Sequence, residues 1–347
     1  MVHKKKNFRT KRNVVGLDRL AYKMTRQGSY EDAEHRFTLA LNMEPNDVYA
    51  LVGLGDLKRR KKRFAEALHY YQKCLDIDKD NGFALAGLGD AYRGLGEIDK
   101  ALEVWLHHLS VNPHDYKVMT RVGDGYKRKG DFATAKEYFS RCLKQKPDDP
   151  YALMGLGEIY SKENNADQAL DCFEKLIRKS DDAVLALTSA ANIYRKRKRY
   201  EQAMRYYERV LKINPNNSYA WHGKADCFRG MKDYPSAISA WRMALKYGME
   251  PRIVFTRIGD AYLRLDDLVE AELNYQKALA LGYDKYAYLG IARIHTWRNH
   301  IDKAAEIFAM LAEKEPDDQR IHVEFNNLAE NSPGLKKVCL ENTELAM

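Results

Sequence analysis

Small and aromatic residues recur along this chain at a fixed interval. Alanine stands at positions 33, 67, 101, 135, 169, 203, 237, 271 and 304, in steps of 34 residues with one step of 33. Four residues after each comes a ring: Phe37, Tyr71, Trp105, Phe139, Phe173, Tyr207, Trp241, Tyr275 and Phe308. Residues four apart share one helix face, so each period contains a helix bearing a small residue, against which a neighbour can close, and a ring one turn later. Upstream lies a second helical pattern of an apolar residue, Leu-Gly and an aromatic, as in Leu85, Leu88, Gly89 and Tyr92. Its glycine site holds only Gly or Ala in all nine periods. Glycine there costs helix propensity, which points to close contact between helices. Proline follows the second helix at Pro45, Pro113, Pro147, Pro215 and Pro316, where it cannot continue it. The pattern predicts nine helix–turn–helix units starting near residues 14, 48, 82, 116, 150, 184, 218, 252 and 285.

These residues resemble the tetratricopeptide repeat family, whose pattern is W-x2-L-G-x2-Y, then A-x3-F, then P. The match spans roughly residues 14–318. It implies an all-α, right-handed superhelical solenoid, with the first helix of each repeat lining a concave groove that binds a protein or peptide. Some positions depart from the pattern. Met24 and Lys58 stand at the first-helix aromatic site, and Lys79, Asp181, Met249 and Tyr283 stand where proline is usual. The tight packing sites are kept. Ile321, Phe325 and Leu328 then predict a cap helix over residues 319–330, which an open solenoid end needs and which favours a monomer. Residues 1–13 and 331–347 show no sustained period and read as flexible tails.

The resemblance makes the first helices the place to look for a partner site. Directly after the glycine site come Asp56, Asp90, Asp124, Glu158, Asn192, Asp226 and Asp260. Three residues later stand bases, Arg59, Arg93, Lys127, Arg195 and Arg229. That spacing allows acid and base to pair on one face. The row is then either a ladder of internal pairs, within or between repeats, or a set of donors and acceptors awaiting a ligand; both readings stand.

Seven residues before the acid, aromatics occur at Tyr49, Phe83, Tyr151 and Tyr219, with Tyr286 at the matching place in repeat nine. Each is followed four residues on by glycine: Gly53, Gly87, Gly155, Gly223 and Gly290. The other four repeats lack both ring and glycine, with Arg19, Arg121, Ser189 or Arg257 at the second position. This co-occurrence suggests volume compensation, the ring lying over the gap glycine leaves. The rings either form apolar pockets along the groove or pack between repeats.

Net charge is +9, of which +6 comes from Lys4, Lys5, Lys6, Arg9, Lys11 and Arg12 in the first thirteen residues. Basic runs at Lys58–Arg63, Lys127–Lys129 and Arg195–Arg199 sit at first-helix C-termini, where the dipole favours cations. Together with the tail they support an alternative function in binding RNA, DNA or anionic lipid. Family members that clamp acidic chaperone C-terminal tails use Lys, Asn and Arg on the inner face. Here Val52, Ala86 and Thr120 stand at those sites beside Asp56, Asp90 and Asp124, so that clamp is not expected.

Five cysteines without a C-x-x-C argue against a disulfide framework or zinc cluster. Cys74 and Cys142 share a small-residue site and read as buried thiols in a reducing compartment. No apolar run has membrane-spanning length, so a cytoplasmic location is expected. No histidine metal motif, phosphate loop or nucleophile elbow occurs. A non-enzymatic scaffold or adaptor without metal or cofactor is the expectation.

Overall fold

The structure, a computed structural model, describes residues 2–180 and 182–330. Asp181 and the expected tail at 331–347 lie outside the described residues. Among the described residues there are nineteen helices and no strand. The chain divides into two compact units after Leu176. The first unit contains α1 (Val2–Gln27), α2 (Tyr30–Met43), α3 (Val48–Arg60), α4 (Phe64–Ile77), α5 (Gly82–Gly94), α6 (Ile98–Val111), α7 (Tyr116–Lys129), α8 (Phe132–Gln145) and α9 (Pro150–Lys162); α10 (Ala166–Lys179) crosses the boundary. The second contains α11 (Val184–Lys196), α12 (Tyr200–Ile213), α13 (Ser218–Gly230), α14 (Tyr234–Lys246), α15 (Pro251–Arg264), α16 (Leu268–Leu279), α17 (Lys285–Trp297), α18 (Ile301–Lys314) and α19 (Gln319–Glu330). Within each unit odd and even helices alternate as hairpins, each packed on its neighbours in sequence.

The small residues of the repeat make room for rings. Phe139 of α8 is almost fully buried and lies between two glycines. A methyl group built on Gly123 of its own repeat would come within 2.7 Å of that ring, and one on Gly155 of the next repeat within 2.4 Å. Tyr71 sits likewise between Gly55 and Gly87, and Tyr275 between Gly259 and Gly290. One ring thus ties the two helices of a repeat to the following repeat. This overturns the expected volume compensation: the space left by Gly53, Gly87, Gly155, Gly223 and Gly290 is filled by Phe37, Tyr71, Phe139, Tyr207 and Tyr275, not by the ring four residues earlier.

Two local devices set the hairpins. Asp47, Asn81, Asp115 and Asp149 cap α3, α5, α7 and α9 with side-chain oxygens, accepting from N–H groups the helix leaves orphaned. Inside each repeat the turn passes through one left-handed residue, Gly28, Lys62, Gly96, Gly130 or Asn164 in the first unit and Lys198, Lys232, Asp266 or Asn299 in the second. Glycine takes this conformation freely, whereas for lysine it costs about 1–2 kcal/mol.

Two sequence departures are accommodated locally. Lys58, at the aromatic site, is buried with its Nζ 2.9 Å from Glu34 and 2.8 Å from Glu66, so two carboxylates compensate its desolvation. At the Met24 site, Arg36 Nε approaches the thioether sulfur at 3.2 Å. The expected flexible tail at residues 1–13 differs from what is found: α1 begins at Val2. Lys and Arg are good helix formers, and the packed turn at Val14 supplies a nucleus from which the helix can extend. At the other end, Ile321, Phe325 and Leu328 of α19 pack on Phe308, Leu311 and Leu289.

Candidate partner-binding face

The odd-numbered helices carry the acids, bases and rings singled out above. Within helices the expected pairs form: Arg59 Nη2 lies 3.0 Å from Asp56, Arg93 Nη2 3.2 Å from Asp90, Lys127 Nζ 3.2 Å from Asp124, and Arg229 Nη2 3.2 Å from Asp226. A second set joins successive repeats. Arg59 Nη1 approaches Asp90 at 3.4 Å, Arg121 Nε reaches it from the other side at 3.1 Å, Lys127 meets Glu158 at 2.7 Å, and Arg195 meets Asp226 at 2.6 Å.

Tyrosine completes the ladder where the second-helix ring has a hydroxyl. Tyr71 donates to Asp56 at 2.7 Å, Tyr207 to Asn192 at 2.7 Å and Tyr275 to Asp260 at 2.9 Å. Asn192 therefore keeps the acceptor role after losing the charge. Repeat nine reverses the sign: Arg293 stands at the acid site and pairs with Glu324 of α19, its Nε 2.9 Å away. Burial and Asp56 push the Tyr71 hydroxyl well above its ordinary range. Burial alone would raise Asp124, but Arg128 and Lys127 hold it below the ordinary carboxylate range. Burial raises Asp260, outweighing the Tyr275 hydroxyl and Arg257, which lies 3.8 Å away.

Asp90 and Asp226 are almost fully buried, while their arginine partners stand partly in solvent. The ladder reading describes these residues, and the face is not an open row of acids. Arginines offset the charge of Asp90 and Asp226, which weakens the repulsion expected toward an anionic ligand.

The rings behave in the opposite way. Each occupies the second position of its helix, and in three cases its backbone N–H donates to the cap residue: Tyr49 to Asp47 at 3.0 Å, Tyr151 to Asp149 at 3.1 Å and Tyr286 to Asp284 at 2.9 Å. From there the side chains project outward. Exposure runs from 51% for Tyr286 through 66% for Tyr49, 71% for Tyr219 and 75% for Tyr151 to 79% for Phe83. More than half of each of these residues lies in solvent.

Beside Tyr151, α7 and α9 enclose a pocket of about 540 Å³. Its walls include Tyr116, Thr120, Arg121, Asp124, Lys127 and Met154. Apolar walls with a few convergent polar groups, in this size range, are what ligand sites share. The pocket gathers Tyr151, Asp124 and Lys127 in one place and adds Tyr116 and Met154, which carry no repeat-wide signal in the sequence.

The basic runs are largely consumed by internal pairs. Lys58 and Lys61 meet Glu34, Arg63 meets Glu66, Arg128 meets Asp124 and Lys129 meets Asp99. Cys74, Cys142, Cys172 and Cys227 are buried thiols; burial pushes Cys74 up to about 11, far from a reactive thiolate. Among the described residues no cluster of three or more His, Cys, Asp or Glu could hold a metal ion, and no helix is long and apolar enough to cross a membrane.

Comparison with known proteins agrees with the repeat geometry. Profiles described as tetratricopeptide repeat match residues 58–115 and 128–191, 184–217, and 25–82, together more than half of the chain. The C-terminal part of a TPR repeat-containing protein from Cytophaga hutchinsonii is similar with a TM-score of 0.59 at 17% identity, over 69% of this chain and 98% of that one. The pilF protein of Pseudomonas aeruginosa is similar with a TM-score of 0.52 at 18% identity, over 62% of this chain and 97% of that one. At such identities the likeness is one of fold. No curated protein matches the chain significantly. The chain belongs to the tetratricopeptide repeat family.

Proposed function

We propose that this chain is a scaffold or adaptor that binds a protein or peptide segment on the face formed by its first helices, in a family whose members are generally non-enzymatic interaction scaffolds. The observation that carries the reading is the exposure of Tyr49, Phe83, Tyr151, Tyr219 and Tyr286. A folded chain gains nothing from five large rings in water at equivalent positions, whereas aromatic anchors supply much of the affinity in protein interfaces. Within each unit the ladder on the same helices, including Asp124 and Lys127 in the first, offers paired, hydrogen-bonding charges beside the rings. A ligand that places apolar side chains on the rings would meet paired charges able to share a hydrogen bond with its backbone.

Binding of nucleic acid through the basic runs is the weaker reading, because so many of their cations already serve carboxylates. Site-specific photo-crosslinking separates the two. Tyr151→p-benzoylphenylalanine should yield a protein adduct that survives nuclease. The same group in place of Ile77, exposed on a second helix, should yield none. Adducts that vanish with nuclease, or form equally at both positions, would refute the proposal.

A further inference from the structure

A second pocket lies in the second unit, at the C-terminal ends of α13, α15 and α17, with a volume of about 680 Å³. Four cations line it, Arg229, Lys232, Arg264 and Arg293, against one carboxylate, Asp260. Tyr234 and Trp297 supply rings, and Trp297 is 57% exposed.

The excess of positive charge has a cause in the repeat. At three earlier junctions the ladder matches a base in one repeat with an acid in the next: Arg59 with Asp90, Lys127 with Glu158 and Arg195 with Asp226. At repeat nine the acid site holds Arg293, a cation where earlier repeats supply an acid, and it pairs onward with Glu324. Repeat eight has Leu263 where a base is usual, with Arg264 beside it. Asp260 is occupied by the Tyr275 hydroxyl at 2.9 Å, and Arg257 is no nearer than 3.8 Å. Arg229 and Arg293 have carboxylate partners in Asp226 and Glu324. Arg264 and Lys232 form no ion pair among the described residues.

The helix dipole accounts for a cation in a last helical turn. It does not account for an exposed tryptophan beside it. Lys232 stands at the left-handed turn position at φ 66°, as Lys62 and Lys198 do in repeats two and six.

We infer that this pocket binds an acidic peptide segment, with Asp or Glu side chains held by Arg264, Lys232 and Arg229 and an apolar side chain laid on Trp297. Guanidinium groups take carboxylates in bidentate, charge-assisted pairs, and the volume admits several side chains instead of a single ion. A nucleic acid would need a track of many phosphate contacts, whereas these cations are confined to one pocket. The inference rests on the reading of the chain as a protein-binding scaffold.

The test is fluorescence anisotropy of the full chain with a short fluorescein-labelled peptide of Glu, Asp and Phe. Binding should weaken as salt rises, and a Lys-rich peptide should not bind. Arg264→Glu and Lys232→Gly should each weaken binding by about tenfold or more. Lys232→Gly relieves backbone strain, so its melting temperature should hold or rise and its loss of binding cannot be misfolding. Unchanged affinity in both variants would overturn the inference, as would a single-stranded oligonucleotide binding more tightly than the peptide through Arg264. If Arg264→Glu has no effect while Phe83→Ala and Tyr151→Ala abolish binding, the pocket is wrong and the ring face stands. If Arg264→Glu alone abolishes it, the pocket stands independently of the rings.

Discussion

Asp90→Asn tests whether the inner acids hold the repeats together or await a ligand. The Asp90 side chain is only 5% exposed, and three guanidinium groups from three successive first helices converge on it: Arg93 at 3.2 Å, Arg59 at 3.4 Å and Arg121 at 3.1 Å. Its Oδ1 makes no aligned hydrogen bond, so the contacts are ion pairs. Removing one member of a buried pair costs about 3–5 kcal/mol, chiefly for the charge left behind. The three arginines are about a third exposed and can partly rehydrate, which brings the expected loss to about 2–3 kcal/mol. For a unit of this size each kcal/mol moves the melting temperature by about 2–4 °C, so a drop of about 4–12 °C should appear in circular dichroism melts. Glu158→Gln is the comparison: Glu158 is half exposed with one lysine partner, and its loss should cost about 0.5 kcal/mol. If Asp90→Asn melts with the wild type yet loses its partner, the acids face a ligand and the structural ladder is wrong.

Further consequences follow from packing, backbone strain and protonation. Gly155→Ala would drive a methyl group into the buried Phe139 ring at 2.4 Å, costing about 1–3 kcal/mol by overpacking against a gain of about 0.5–1 kcal/mol in helix propensity; Gly16→Ala, with no atom within 4 Å, should show the gain alone, and equal urea midpoints for the two would refute the ring-clasp account. Lys198→Gly, at φ 59°, should stabilise the chain by up to about 1 kcal/mol, and a loss of stability in the same denaturation assay would contradict it. Burial and the neighbouring carboxylates of Asp47 and Glu44 push Asp18 up to about 7. Because the folded state holds this proton more tightly than the unfolded chain, the stabilisation is complete below about pH 4 and is lost as pH rises through 7. Asp18→Asn should therefore outlast the wild type at pH 8 by on the order of 2 kcal/mol, with the difference shrinking toward pH 4; a difference independent of pH would argue against a shared proton.

The architecture is legible in sequence because its determinants are close together: an alanine and its ring are one helical turn apart, and the whole unit recurs every 34 residues. The pairing of Asp56 with Arg59 was equally visible. Contacts between repeats were harder to read, although they follow from the period. Arg59–Asp90, Arg121–Asp90 and Lys127–Glu158 are all 31 residues apart, one repeat less the helical spacing of the intrahelical pair. The role of the glycine after each exposed ring is not legible locally, because its partner lies in the preceding repeat, sixteen residues back, as Phe139 does from Gly155. The left-handed turn leaves little trace in the sequence because only three of its nine occupants are glycine. The basic pocket is hidden from a repeat-based reading because it arises from a break in the pattern, Arg293 where an acid is the rule.

The central claim is that the first-helix rings serve a partner and not the fold. It is tested most directly by combining Phe83→Ala, Tyr151→Ala and Tyr219→Ala, then measuring the melting temperature and the recovery of the crosslink-identified partner on the same preparations. The rings are mostly in water, so the melting temperature should stay within about 2 °C of the wild type while partner recovery falls by about tenfold or more. A chain that melts well below the wild type, or one that keeps its partner without the rings, would contradict the account.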